Sequence, residues 1–156
     1  MQVRRVVTGH GSDGKATVVI DELSHAMISF RAGATAWNIW STASLPADND
    51  DPADGAKRIA GTTRENGSVF RIIEYAPGVA PRNHRTRSLD YATVLSGEID
   101  MELDDDVVHL RAGDVLVQRG TIHNWVNRGK APCVIAFVLI DARPATIGGV
   151  AAEAIG

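Results

Sequence analysis

Two short stretches of the sequence hold side chains capable of chemistry. Residues 82–99, "RNHRTRSLDYATVLSGEI", set His84, Thr86 and Asp90 at even positions, and "HNWVN" sets His123, Trp125 and Asn127 two apart. Side chains alternate across an extended strand, so His84, Thr86, Ser88 and Asp90 share one face of an unbulged strand. His123, Trp125 and Asn127 share one face of another. Imidazoles and a carboxylate are donors a divalent transition metal takes, and an imidazole beside a carboxylate is equally a general base without any metal. Which chemistry applies depends on whether the two faces meet.

The elements that must position these residues are short strands. From residue 67 onward, "SVFRIIEY", "DYATVL", "EIDMEL", "VVHL", "DVLVQ", "HNWVN" and "CVIAFVLI" are β-branched runs bounded by Gly, Asp, Asn or Pro. That texture predicts an all-β chain, an antiparallel barrel or sandwich joined by hairpin turns. Residues 1–66 are less regular: "KATVVID" and "AWNIW" read as short strands, and "LPADNDDPADGAK" reads as an acidic, mobile surface loop. In the last dozen residues, "TIGGVAAEAIG", alanines permit a short helix that two glycines weaken, in a loosely attached tail. The expected division is an N-terminal extension over 1–66 packed on the barrel, a barrel core over 67–141, and a tail over 142–156.

Gly78, His84, Thr86, Asp90 and Gly97, with Gly113, Gly120, His123 and Asn127, resemble the two motifs of the cupin family. In the first motif the family has a second His where Thr86 stands and a Glu where Asp90 stands. In the second, Gln118 stands where the family has a Pro, with one residue fewer before it. The resemblance covers residues 67–140 and implies a cupin-type double-stranded β-helix, or jelly-roll, barrel with an irregular N-terminal β extension. It also implies that the face bearing His84 and Asp90 looks into the barrel.

On that placement, His84, Asp90 and His123 would converge as the ligands of a divalent transition metal (Fe, Mn, Ni or Zn), in the manner of a facial triad with open positions. Asp90 would be third ligand or general base, and Thr86, a poor ligand, would donate a hydrogen bond to substrate or water. Asp is one methylene shorter than Glu, which draws its carboxylate back toward the strand and allows it to orient a histidine instead. The alternative is a metal-free pocket in which His84 and His123 are hydrogen-bonded to Asp90 and Thr86. Trp125, Tyr91 and Asn127 are the expected substrate-pocket residues, with Met101 and Phe70 as further apolar lining. Arg82, Arg85, Arg87 and Arg119 cluster near the motifs; any that reached the barrel mouth would favour a substrate carboxylate or phenolate, the others being solvated. His10, His25 and His109 have no ligand-like spacing.

Composition narrows the function classes. The chain has 156 residues, enough for one domain, and a net charge of −3 with dispersed basic residues, so nucleic acid has no electrostatic footprint. The single cysteine, Cys133, lies in an apolar run and reads as a buried hydrophobe. No stretch is long and apolar enough to be a membrane span, which points to a cytoplasmic protein. The expected activity is a small metal-dependent cupin enzyme (dioxygenase, decarboxylase or isomerase) acting on a small organic acid or aromatic compound. A binding or sensing cupin, and a metal-free isomerase or cyclase using His84 or His123 as acid and base, are the competing readings. The expected partner is a small molecule, with no nucleic acid or membrane, and the expected assembly is a homodimer in which residues 1–66 cover a barrel edge.

Overall fold

Short β-branched runs leave little room for helix, and the chain folds accordingly. A computed structural model describes residues 1–25, 27–28, 31–58 and 61–156, with backbone alone at 27 and 28. Its strands are β1 (Val3–His10), β2 (Ala16–Ser24), β3 (Met27–Ile28), β4 (Ala34–Thr42), β5 (Ser68–Tyr75), β6 (Ser88–Ser96), β7 (Glu98–Glu102), β8 (Val107–Arg111), β9 (Val115–Arg119), β10 (Asn124–Val126), β11 (Cys133–Asp141), β12 (Ala145–Ile147) and β13 (Val150–Ala152). Among the described residues the only helical turn is a 3-10 turn at Gly55–Lys57, and no helix is long and apolar enough to cross a membrane.

Two antiparallel sheets face each other, one of six strands in the order β3-β4-β5-β11-β6-β9 and one of three in the order β10-β7-β8. The topology and register are those of a jelly-roll barrel. The apolar run in β11 makes it the central strand, with β5 on one side and β6 on the other. Its residues Cys133, Ile135, Phe137 and Leu139 point inward and are buried. They pack with Val69, Tyr75, Val94, Ile99, Met101 and Trp125 into one core between the sheets. Alternation thus puts one parity of β5, β6 and β11 inside the barrel and the other parity outside.

The turn after β6 fixes how closely the two sheets join. Gly97 has a φ of 75°, and a Cβ there would lie 2.5 Å from the Pro132 carbonyl oxygen, so only glycine fits. Gly78, Gly113 and Gly120 also have positive φ, as their place in turns between strands predicts.

Three regions differ from the sequence-based expectation. Within the 1–66 segment, β4 runs along the length of β5 and belongs to the large sheet. The acidic stretch is anchored where a mobile loop was expected: Asp54 caps the 3-10 turn and binds the buried Arg5 guanidinium, while Asp51 pairs with Arg58. Arg5 also meets Glu22, which clips the β1-β2 hairpin to this loop. In the tail, the helix is replaced by a β12-β13 hairpin. Gly148 and Gly149, both at positive φ, form its two-residue turn, a geometry that suits a hairpin and breaks a helix. Ile155 then exchanges two backbone hydrogen bonds with Arg85, at 2.9 and 3.0 Å, so the tail is paired to the barrel.

Candidate functional site

The strand bearing the first histidine is interrupted between Arg85 and Ser88, yet the alternation survives: His84, Thr86, Ser88 and Asp90 are all buried, and Arg87 and Tyr91 face out. Across the barrel, His123 leads into β10. The backbones of His84 and His123 bridge, His84 N donating to His123 O at 3.0 Å and His123 N to His84 O at 2.9 Å. Pairing at that point sets the two rings side by side, with centroids 4.3 Å apart and planes tilted by 48°.

Each imidazole is held the same way. His84 Nδ1 lies 3.1 Å from the Arg82 carbonyl oxygen, and His123 Nδ1 lies 3.0 Å from that of Thr121. A carbonyl only accepts, so both Nδ1 atoms carry the hydrogen and both Nε2 atoms carry the lone pair. Among the described residues neither Nε2 has a hydrogen-bond partner. Burial, then the neighbouring His123, push His84 down to about 4, with Arg82 and Arg31 acting in the same direction. Burial lowers His123 as well. The pair is therefore neutral at neutral pH.

Beside the pair runs a hydroxyl–carboxyl chain. Ser88 Oγ lies 2.9 Å from Thr86 Oγ1 and 2.5 Å from Asp90 Oδ1. Burial raises Asp90 to about 6, with the Ser88 hydrogen bond and the Arg71 guanidinium holding it back from rising further.

His84, Thr86, Asp90 and His123 line a cavity of about 310 Å³ inside the barrel. Tyr75, Trp125 and Phe137 form its apolar wall: Trp125 stacks on Tyr75 at 6.2 Å and meets Phe137 and His123 edge-on at 5.7 and 5.9 Å. Arg31, Arg71 and Arg82 also line it, with Asp90 the one acidic side chain among the described lining residues. The cavity thus joins two neutral bases, a protonatable acid and a positive field.

The expected site residues divide. His84, Thr86, Asp90, His123 and Trp125 all line the cavity. Tyr91 does not: it follows Asp90 by one residue, so the same pleat that buries Asp90 turns Tyr91 outward, where it is 48% exposed. Phe70 faces outward for the same reason, and Met101 is packed in the core. Asn127 is buried but structural, its amide donating to the Tyr75 and Ala131 carbonyls at 2.9 Å. Of the four motif arginines only Arg82 reaches the cavity.

Arg71, Arg31, Tyr75 and Phe137 were missed. Arg71 and Tyr75 had a signal: in "SVFRIIEY" the alternate positions Val69, Arg71, Ile73 and Tyr75 form one face. A guanidinium on an otherwise apolar face is a functional mark.

The donor set tests the expected metal. Among the described residues, no three His, Cys, Asp or Glu side chains come together as ligands. Asp90 is turned to Ser88, and the imidazoles stand in the field of Arg31 and Arg82, which opposes a cation. His84, Asp90 and His123 do not form such a group among the described residues.

Comparison with known proteins places this barrel. The family model described as "Cupin domain" matches residues 71–140. The chain is 34% identical over 156 residues to the cupin-domain-containing oxidoreductase fogC of Aspergillus ruber, covering 95% of this chain and 77% of that protein. It is also 34% identical over 154 residues to the cupin-domain-containing oxidoreductase virC of Hypocrea virens, covering 94% and 79%. Among solved structures, the polyketide cyclase RemF of Streptomyces resistomycificus superposes with a TM-score of 0.54 at 19% identity, covering 78% of this chain and 77% of RemF. That last likeness is one of fold.

Proposed function

The chain belongs to the cupin family, and we propose that it is a small enzyme of acid–base type, moving a proton on an oxygen-bearing organic compound held in the barrel. The reaction class is isomerisation or cyclisation. One observation carries this reading: His84 and His123 are adjacent, and each spends its Nδ1 hydrogen on a backbone carbonyl, leaving two Nε2 lone pairs without a partner among the described residues.

A neutral Nε2 takes a proton from a C–H or O–H bond acidified by a neighbouring carbonyl. The released electron pair moves onto the carbonyl oxygen, where the guanidiniums lining the cavity stabilise the negative charge. The imidazolium so formed returns the proton at another carbon, so the histidine is regenerated and the step is redox-neutral. Thr86 and Ser88 hold Asp90 in place through their hydroxyls. The aromatic wall suits a flat, conjugated substrate.

A second reading, oxidoreductase, is supported by the names of the relatives at 34% identity. It requires an electron acceptor, and the two free Nε2 atoms are the donors a divalent metal would take.

One experiment separates the two. Protein purified without chelator is incubated in D2O with a panel of small 1,3-dicarbonyl and unsaturated keto compounds, and hydrogen exchange or double-bond migration is followed by NMR. The acid–base reading predicts catalysis that survives EDTA and falls by about 10²-fold or more in both His84→Gln and His123→Gln. An oxidised product formed in air, lost to EDTA and restored by one equivalent of metal, supports the oxidoreductase; exchange or migration that depends on metal in the same way contradicts the metal-free reading. Binding without turnover supports a sensing module.

A further inference from the structure

The residues that follow the β12-β13 hairpin return to the site. His84 and Arg85 lie outside the long strands and are held by one bridge each. His84 exchanges both of its backbone hydrogen bonds with His123. Arg85 N donates to Ile155 O at 2.9 Å and Ile155 N to Arg85 O at 3.0 Å. Successive residues of an extended chain turn their N–H and C=O groups to opposite edges, so the stretch carrying His84 runs between His123 and residues 153–156.

Side chains reinforce the second edge. Arg85 Nε donates to the Glu153 carbonyl at 3.2 Å, and Arg82 Nη2 to the Gly156 carbonyl at 2.8 Å. Gly156 sits against the histidine itself: its φ is 92°, and a Cβ there would lie 2.7 Å from both Asn83 O and His84 Cβ.

Two cavity-lining groups, His84 and Arg82, are therefore tied to the same four residues. Arg82 also supplies the carbonyl that holds His84 Nδ1, so movement of this stretch disturbs the ring and its tautomer together. A misplacement of about 1 Å costs a reacting group roughly a hundredfold in rate. We propose that residues 153–156 form a strap that positions the histidine end of the cavity, with Ile155 and Arg85 as its pairing residues and His84 and Arg82 as the groups it sets. Its consequence for turnover rests on the acid–base reading; its effect on the His84 ring does not depend on which reaction the site performs.

Asn124 supplies the competing explanation. Its Oδ1 accepts from Arg82 N at 2.9 Å, and His123 holds His84 from the other edge. If those two anchors suffice, the strap is a surface attachment and its loss leaves the ring unmoved.

The test is Ile155→Pro in the full chain. Proline removes the N–H that Arg85 O accepts, at a residue 47% exposed and outside the core. Long-range 1H–15N correlation NMR at neutral pH reads the His84 tautomer, and proton exchange in D2O with the dicarbonyl and keto panel reads activity. In Ile155→Pro, His84 is expected to change from a single Nδ1–H form to a mixture of tautomers, and exchange to fall by about tenfold or more. His123, held by Thr121 outside the strap, should keep its own form. Gly156→Ala, which forces a methyl group against His84, should act on His84 in the same way. Ile155→Ala retains the N–H and should retain the single tautomer. An unchanged His84 in folded Ile155→Pro and Gly156→Ala overturns the proposal, as does an equal change in Ile155→Ala; if Ile155→Pro fails to fold, Gly156→Ala decides. A His84 that responds in a protein whose wild type exchanges no proton with any compound refutes the acid–base reading and leaves the strap standing.

Discussion

His84 and His123 are joined twice, by a pair of backbone hydrogen bonds at 3.0 and 2.9 Å and by rings whose centroids lie 4.3 Å apart. Backbone pairing fixes the distance between the rings, and the carbonyls of Arg82 and Thr121 fix which nitrogen of each carries the hydrogen. The site's chemistry is therefore set by strand register more than by side-chain freedom.

The site should make stability depend on pH with a definite sign. Unfolded, His84 takes a proton near its ordinary 6.5; folded, it does not until about 4. The unfolded state binds more protons between those values, so this contribution is present above about 6.5 and is lost as pH falls toward 4. Asp90 works the other way, because the folded protein keeps its proton up to about 6 and the unfolded chain releases it near 3.8. With His123 lowered too, the histidines prevail and stability should rise from pH 4 to 6.5. Urea unfolding across that range should show a shallower slope for His84→Gln and a steeper one for Asp90→Asn. Opposite changes would contradict the assignment.

The clip on the β1-β2 hairpin should be costly to remove. Arg5 Nη1 meets Asp54 Oδ1 at 2.5 Å, with the Arg5 side chain 2% exposed and that of Asp54 15%. Arg5→Met leaves Asp54 with Lys57, 3.6 Å away, and the Ala56 N–H, at a cost of about 2–4 kcal/mol, short of the full penalty because Asp54 keeps these partners and some water. Chemical denaturation measures this directly. A change under about 0.5 kcal/mol would mean that the hairpin is held by other contacts.

Two glycines of the same left-handed geometry should respond differently to alanine. Gly97 and Gly78 have φ of 75° and 67°, but only at Gly97 would a Cβ meet backbone, 2.5 Å from Pro132 O and 3.0 Å from Cys133 Cα. Gly78→Ala should cost about 1–2 kcal/mol from backbone strain alone. Gly97→Ala should cost more, since β6 and the start of β11 must move apart. Equal melting temperatures for the two variants would show that the barrel yields at that seam.

Much of this was legible in the sequence, and the failures have physical causes. Period-two alternation placed His84, Thr86 and Asp90 on one face, and the cupin resemblance turned that face inward, although the strand between Arg85 and Ser88 is broken. The same rule, applied one residue further, would have turned Tyr91 outward; its aromatic character was allowed to outweigh its parity. Asn127 was read as pocket lining because it shares parity with His123, yet an amide at a strand end is as well suited to bridging two backbone carbonyls. The anchoring of the acidic loop by Arg5 depends on a contact between residues far apart in the chain, 49 positions for Arg5 and Asp54. Local pattern contains no information about such pairs.

The central claim is that both imidazoles present a bare Nε2 to the cavity. Long-range 1H–15N correlation NMR of uniformly labelled protein, titrated from pH 8 to pH 4, reads it without any knowledge of the substrate. The account predicts that His84 and His123 both appear as the Nδ1–H tautomer at neutral pH, and that His84 protonates only at about 4. Nε2–H tautomers, or rings that protonate near 6.5, would contradict it.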